Sequence, residues 1–260
     1  MNFNTFYYLK NINYIKVGDQ NYSSNEELSV TKSDKVEIHF NEVATNLYYF
    51  FKDSKYHCRK ITSMDLSHFD TSLVTNMSHL FYEFNNLQVL DLTNFNTSLV
   101  TDMSYMFFQC SSLISLNLSN FNTSLVTTMS FMFNQCGILQ SLDLSNFNTS
   151  LVTNMTRMFC NANFLIILNI SNFNTSLVTD MSYLFSSCSF LQSVDLTNFK
   201  TSAVTTMSFM FSGCMSLQSV DLTNFNTSAV TTMNYMFSGC QSLQSLNLST
   251  FNTSAVTTMI

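Results

Sequence analysis

The sequence predicts an α/β repeat: a right-handed solenoid with one short parallel strand and one short helix in every 26-residue unit. Three observations carry the prediction. Phe69, Phe95, Phe121, Phe147, Phe173, Phe199, Phe225 and Phe251 are spaced by 26 without an insertion. Met77, Met103, Met129, Met155, Met181, Met207, Met233 and Met259 keep the same step, and the motif TS[LA]VTxM joins the two columns in all eight copies. Seven complete units run from Asp65 to Leu246 and an eighth begins at Asn247. A period of this size marks stacked supersecondary units, each unable to bury its apolar face alone.

The strand comes from "LQSLDLSNF", Leu139 to Phe147, where Leu139, Leu142 and Leu144 form L-x-x-L-x-L with period-2 alternation at its end. The helix comes from Val126, Met129, Met132, Phe133 and Cys136, which fall at i, i+3, i+6, i+7 and i+10. Together they read as a leucine-rich-repeat-like coil. Ser124 or Thr127 stands just before this stripe, where a hydroxyl is expected to accept an orphan backbone N–H as N-cap. The chain has no Pro and only 4 Gly. Its turns must therefore be shaped by Asn, Ser and Thr side chains bonding the nearby backbone.

Residues 1–64 are expected to form an N-terminal capping region, and residues 65–260 the solenoid. "KVEIHF", Lys35 to Phe40, alternates as a strand, and "NLYYFFKDSKYHCRKITSM" resembles a degenerate repeat leading into Asp65. The last residues, "FNTSAVTTMI", stop in mid-repeat, as expected of a fragment.

The units "CSSLISLNLSNFNTSLVTTMSFMF" and "CQSLQSLNLSTFNTSAVTTM" closely resemble the 26-residue repeat of the BspA-like leucine-rich-repeat surface proteins, over about residues 61 to 260. The resemblance implies a leucine-rich-repeat-like solenoid. It also implies surface display or secretion, and adhesion to a protein or glycan. The start of the chain has neither a charged n-region nor the apolar run of a signal peptide, so a cytoplasmic location is the alternative. No stretch approaches the apolar length of a membrane span, and no membrane insertion is expected within this chain.

Charge narrows the partner classes. The net charge is −6, and eight of the ten Lys and Arg stand before Ile61. From Ile61 onward only Arg157 and Lys200 oppose nine acids, so the array lacks the basic face that nucleic-acid binding requires. No enzymatic activity and no cofactor are expected. His39, His57, His68 and His79 lack ligand spacing, and there is no nucleophile elbow or Gly-rich phosphate loop. Cys110, Cys136, Cys188, Cys214 and Cys240 share one column with Phe84 and Ala162, which marks an apolar filler rather than a metal or disulfide site.

Two columns remain as binding candidates. Asp91, Asn117, Asp143, Asn169, Asp195 and Asp221 are expected to project from successive strands onto an exposed, concave face. Tyr105, Phe131, Tyr183, Phe209 and Tyr235, with His79 and Arg157 in the same column, fall roughly opposite the inward stripe. They are expected either to form an outer aromatic ridge for a partner or for assembly, or to pack along the solenoid on neighbouring units. The first reading is a non-enzymatic adhesion module. The alternative is an intracellular or self-assembling scaffold, with copies joined by the ridge or by the solenoid ends.

Overall fold

The structure is a computed structural model that describes residues 2–3, 12–17, 20–22, 28–29, 36–40, 44–51, 61–64, 66 and 69–259. At the N-terminal end, β1 (Asn2–Phe3) pairs antiparallel with β4 (Leu28–Ser29). A second sheet has the order β3-β2-β5, from β2 (Ile12–Val17), β3 (Gln20–Tyr22) and β5 (Val36–Phe40). Val36–Phe40 of the alternating "KVEIHF" segment is thus β5. Cys58, His57 and His68 lie outside the described residues.

The described residues from 44 onward form a stack of coils. The first step, from Asn46 to its parallel bridge partner Asn76, is longer than the later ones, and Leu47, Phe50 and Phe51 are buried under the next coil. Residues 46–51, the start of the expected degenerate repeat, therefore stack on the next coil. Bridges then continue from Asn76 to Asp102, Thr128 and Asn154, and from Asp180 to Thr206, Thr232 and Thr258.

The expected helix is replaced by a chain of turns. The stripe does point inward: Val126, Met129, Met132, Phe133 and Cys136 are all buried. No α-helix occurs among the described residues. Instead, the N–H groups of Met103, Tyr105, Phe107 and Gln109 donate to the carbonyls of Thr128, Ser130, Met132 and Asn134 in the following coil. Those of Met106, Phe108 and Cys110 donate back to Met103, Tyr105 and Phe107. Alternate residues thus bond along the stack, and the residues between them close turns.

The first and last of these three turns have positive φ at their third residue, as type II turns do. Tyr105 (φ 57°) and Gln109 (φ 58°) supply it, as do Phe131 (58°) and Gln135 (61°) one coil on. Spacing explains why no helix forms. Equivalent rings with nearly parallel planes sample the local distance between coils. That distance is 4.4 Å for Tyr105 and Phe131 and 5.6 Å for Phe107 and Phe133. Helices pack with axes roughly 8–10 Å apart, so one helix per coil does not fit on this side.

The expected strand appears in part. β6 (Ser63–Met64) pairs parallel with β7 (Val89–Leu90), and β8 (Ser141–Asp143) with β9 (Ile167–Asn169). In other coils single bonds span the junction, such as Gln218 N–H to the Gln192 carbonyl at 3.0 Å. Leu142 and Leu144 face the core, as does the Phe147 column that follows. Between these two sides Phe81, Phe107, Phe133, Phe159, Phe185, Phe211 and Phe237 form an interior ladder at 5.4–5.8 Å.

Candidate functional site

Each coil turns on side chains in place of Gly and Pro. In one unit the Oδ1 atoms of Asp143, Asn148 and Asn154 accept the N–H groups of Ser145, Ser150 and Thr156, each at 3.0 Å. These are Asx turns, in which a short side chain mimics a backbone turn two residues on. The same bonds recur at Asp91, Asn117, Asn169, Asp195, Asp221 and Asn247, at 2.9–3.3 Å. The requirement is one acceptor oxygen, which Asp and Asn meet equally well. That accounts for their alternation in the expected binding column.

Asp91, Asn117, Asp143, Asp195 and Asp221 are exposed, and Asn169 is half-buried. The carboxyls of Asp143, Asp195 and Asp221 are held below the usual range, first by the backbone N–H of Ser145, Thr197 and Thr223 and then by their hydroxyls. In Asp195 and Asp221 both contacts fall on Oδ1, so Oδ2 lies outside the turn. The column is therefore a row of ionised or amide groups whose first duty is to set the corner.

The aromatic column does not sit on a helix. It occupies the positive-φ position of the turn, with φ between 53° and 59° at Tyr105, Phe131, Tyr183, Phe209 and Tyr235. The rings pack on the neighbouring coils, face to face. Tyr105 stacks on His79 at 4.5 Å and on Phe131 at 4.4 Å; Phe209 stacks on Tyr183 at 4.5 Å and on Tyr235 at 4.9 Å. Arg157 fills the gap, with its guanidinium 5.4 Å from the Phe131 centroid and 4.3 Å from that of Tyr183. Tyr49 extends the stack beyond His79 at 4.0 Å. The four central rings are half-buried and Tyr235 is 41% exposed. The outward surface of the ridge is thus a row of ring edges.

Two features escaped the sequence reading. Thr123 is buried, accepts the Asn148 N–H at 2.8 Å and donates its hydroxyl to the Asn148 carbonyl at 3.0 Å. Thr71, Thr97, Thr149, Thr175, Thr201 and Thr227 repeat this clasp. The N-cap assigned to Ser124 or Thr127 has no helix to cap. Ser124 instead donates its N–H to Asn122, and the Thr127 hydroxyl donates to the Thr101 carbonyl at 3.2 Å. The second feature is a row of half-exposed leucines, Leu73, Leu99, Leu125, Leu151 and Leu177, at 41–49% exposure. Its signal was the L/A position of TS[LA]VT, which becomes Ala203 and Ala229 further on.

The cysteine column is packed inside. Cys110, Cys136, Cys188 and Cys214 are buried and Cys240 half-buried; each thiol donates to a Phe carbonyl of the preceding coil at 3.1–3.3 Å. Burial pushes the Cys136 and Cys214 thiols up to about 12, which keeps them protonated. Among the described residues no group of three or more His, Cys, Asp or Glu is placed to hold a metal ion. Nor is any helix there long and apolar enough to cross a membrane.

Residues 45–164 and 187–260, most of the chain, match the family described as Mycoplasma protein of unknown function, DUF285. No curated protein matches. Among solved structures the chain is similar to a leucine-rich repeat protein from Bacteroides ovatus, with 16% identity over 86% of this chain and 54% of that one, at a TM-score of 0.48. It is also similar to a leucine-rich repeat protein from Eubacterium ventriosum, with 21% identity over 72% and 55%, at 0.46. A leucine rich cell surface protein from Faecalibacterium prausnitzii is 15% identical over 75% and 62%, at 0.38. The chain spans between 54% and 62% of the length of these structures.

Proposed function

The chain belongs to the DUF285 family, and we propose that its stacked coils form a non-enzymatic binding module, secreted or displayed at the cell surface, that presents an extended face to a protein or glycan. The observation that carries this reading is the regular polar face. Ser141 and Asp143 are exposed while Leu142 and Leu144 are buried, and the pattern returns in later coils at Asp195 and Asp221. Solenoids use such extended faces as binding surfaces. The row of Asp91, Asn117, Asp143, Asn169, Asp195 and Asp221 supplies its hydrogen-bonding groups. The resemblance of the units to BspA-like repeats supports surface display, with a cytoplasmic scaffold as the competing reading.

Protease shaving of intact source cells is the test. Peptides of this chain should be released while cytosolic controls stay protected; peptides seen only after lysis overturn surface display. The scaffold reading has its own observation, the continuous half-exposed stack from Tyr49 to Tyr235. It would show as concentration-dependent oligomers in sedimentation that disappear in a Tyr183→Ser/Phe209→Ser variant.

A further inference from the structure

Three coils break the polar face: Val89 (61% exposed) and Ile114 (56%) each stand singly in its columns, and one coil replaces both polar residues. At the positions of Gln140 and Ser141, Gln192 and Ser193, and Gln218 and Ser219, the coil between the first two pairs carries Ile166 and Ile167. Ile166 is 40% exposed and Ile167 65%. Beside them Phe164 (45%) stacks on Phe190 (46%) at 4.8 Å, and Ile138 (42%) precedes Phe164 in the same column. Backbone bonds fix the alignment: Phe164 N–H donates to Gly137, Ile166 N–H to Gln140, and Phe190 N–H to Asn163. Five large apolar side chains on three successive coils thus form one exposed cluster.

The fold does not ask for them. Neighbouring coils place Gln and Ser on the same frame, with the buried Leu142 and Leu168 paired in register beneath. Clustered apolar exposure of this kind marks contact with a partner. The surrounding charge says which kind. Ile167 shares a strand face with Asn169 two residues on; Asn169 pairs with Asp143, and Asp195 stands at the equivalent place one coil further. Two ionised carboxylates therefore flank the cluster, about 10 Å apart at two coil steps of strand spacing. Neither cation of the array answers them from this face. Arg157 is held between Phe131 and Tyr183, and Lys200 stands in the column of Asn148 and Asn174.

We infer that the Ile138–Phe164–Ile166–Ile167–Phe190 cluster is a docking site for a cationic protein segment that carries aliphatic or aromatic anchors. The inference rests on the binding-module reading and narrows it to one cluster, one partner class and a protein in preference to a glycan. Apolar anchors fill the cluster, while Lys or Arg on either side meets Asp143 and Asp195; a neutral sugar supplies no cation for them.

The test uses the full chain and a short fluorescent peptide of alternating Lys and Leu, followed by anisotropy. Alternating Glu–Leu and Lys–Ser peptides are the controls. The variant I166Q/I167S installs the residues of the adjacent coils. It should weaken the Lys–Leu peptide by about tenfold or more, as loss of a central apolar anchor does. D143N/D195N keeps both Asx acceptors and removes both charges, so it should weaken binding and flatten its salt dependence. The proposal is overturned if the Lys–Leu peptide does not bind, if the Glu–Leu peptide binds as well, or if I166Q/I167S changes affinity by less than about threefold with its circular dichroism unchanged. Should I166Q/I167S fail to fold, the salt response of D143N/D195N decides. A glycan-array signal that I166Q/I167S leaves intact would sink the cluster and keep the adhesion module. Peptide binding without release on shaving would do the reverse.

Discussion

The two long sides of each coil differ in a way opposite to their sequences. The stretch with the clear strand pattern, Leu139 to Leu144, is paired across the stack only in patches, as β6 with β7 and β8 with β9. The stretch with a helix-like stripe, Met129 to Cys136, makes an unbroken hydrogen-bonded ladder along the axis through the columns of Phe131, Phe133 and Gln135, with the Met129 column interrupted only at Met155 among the described coils. Ring spacings agree. Along the turn side they are 4.4–4.9 Å, in the interior Phe ladder 5.4–5.8 Å, and in the column that follows the strand 6.5 Å for Phe121 and Phe147 and 6.4 Å for Phe199 and Phe225. The coils close up at the turns and fan out toward that Phe column. Apolar periodicity reports which side chains face inward; it does not report which carbonyl an amide chooses.

Amide hydrogen exchange breaks or upholds this contrast most directly. The N–H groups of Phe131, Phe133 and Gln135 should exchange on the order of 1,000-fold more slowly than those of Ser219 and Asp221, since opening a laddered core segment approaches global unfolding. Equal rates on the two sides would mean that the ladder is not the stronger seam.

The corner that joins the sides gives the next largest effect. Thr123→Val keeps the shape but leaves the Asn148 N–H and carbonyl without their cross-coil partner. It should cost about 1–3 kcal/mol in urea unfolding, since two hydrogen bonds are lost and each contributes about 0.5–1.5. Thr127→Val removes an exposed hydroxyl and should stay within about 0.5 kcal/mol. Similar losses in both would sink the clasp.

The smallest effect sharpens the strand side. Asp143→Ala should cost about 1 kcal/mol through loss of its Asx acceptor, whereas Asp143→Asn should be neutral near pH 7. The two differ in acid. The folded carboxyl titrates below its ordinary value, so its contribution is fully present above the unfolded pKa of about 3.9 and is lost as pH falls through the lower folded value. Asp143→Asn should lack that acid limb in denaturation curves taken below pH 4; an unchanged limb would show that the carboxylate does not hold the corner.

Much of this was legible in the sequence. The register, the inward columns and the filler cysteines follow from spacing and from the substitution of Phe84 and Ala162 in the Cys column. The turn ladder was not, because Val126, Met129, Met132, Phe133 and Cys136 fit a helical stripe as well as a run of turns. Its one visible clue was glycine. Gly213 (φ 76°) and Gly239 (φ 75°) stand in the column of Gln109, Gln135, Asn161 and Ser187, all at positive φ. Both candidate columns lie at exposed or half-exposed positions. Their structural duties, corner-setting for Asp and Asn and stacking for the rings, depend on backbone turns and on contacts with neighbouring coils, and were hidden from any local pattern.

The Asx corners have a consequence for how such a chain can change over time. Because an acid and an amide serve the corner alike, a single substitution can add or erase one negative charge per coil while the frame stays as it was. Equal coils also make equal junctions, so a whole unit can be duplicated or deleted in frame and the neighbours still fit. Length and surface charge can therefore drift independently of folding. Selection for a new partner would act on a nearly neutral template, with the coil at Ile166 and Ile167 as one place where the text has already been rewritten.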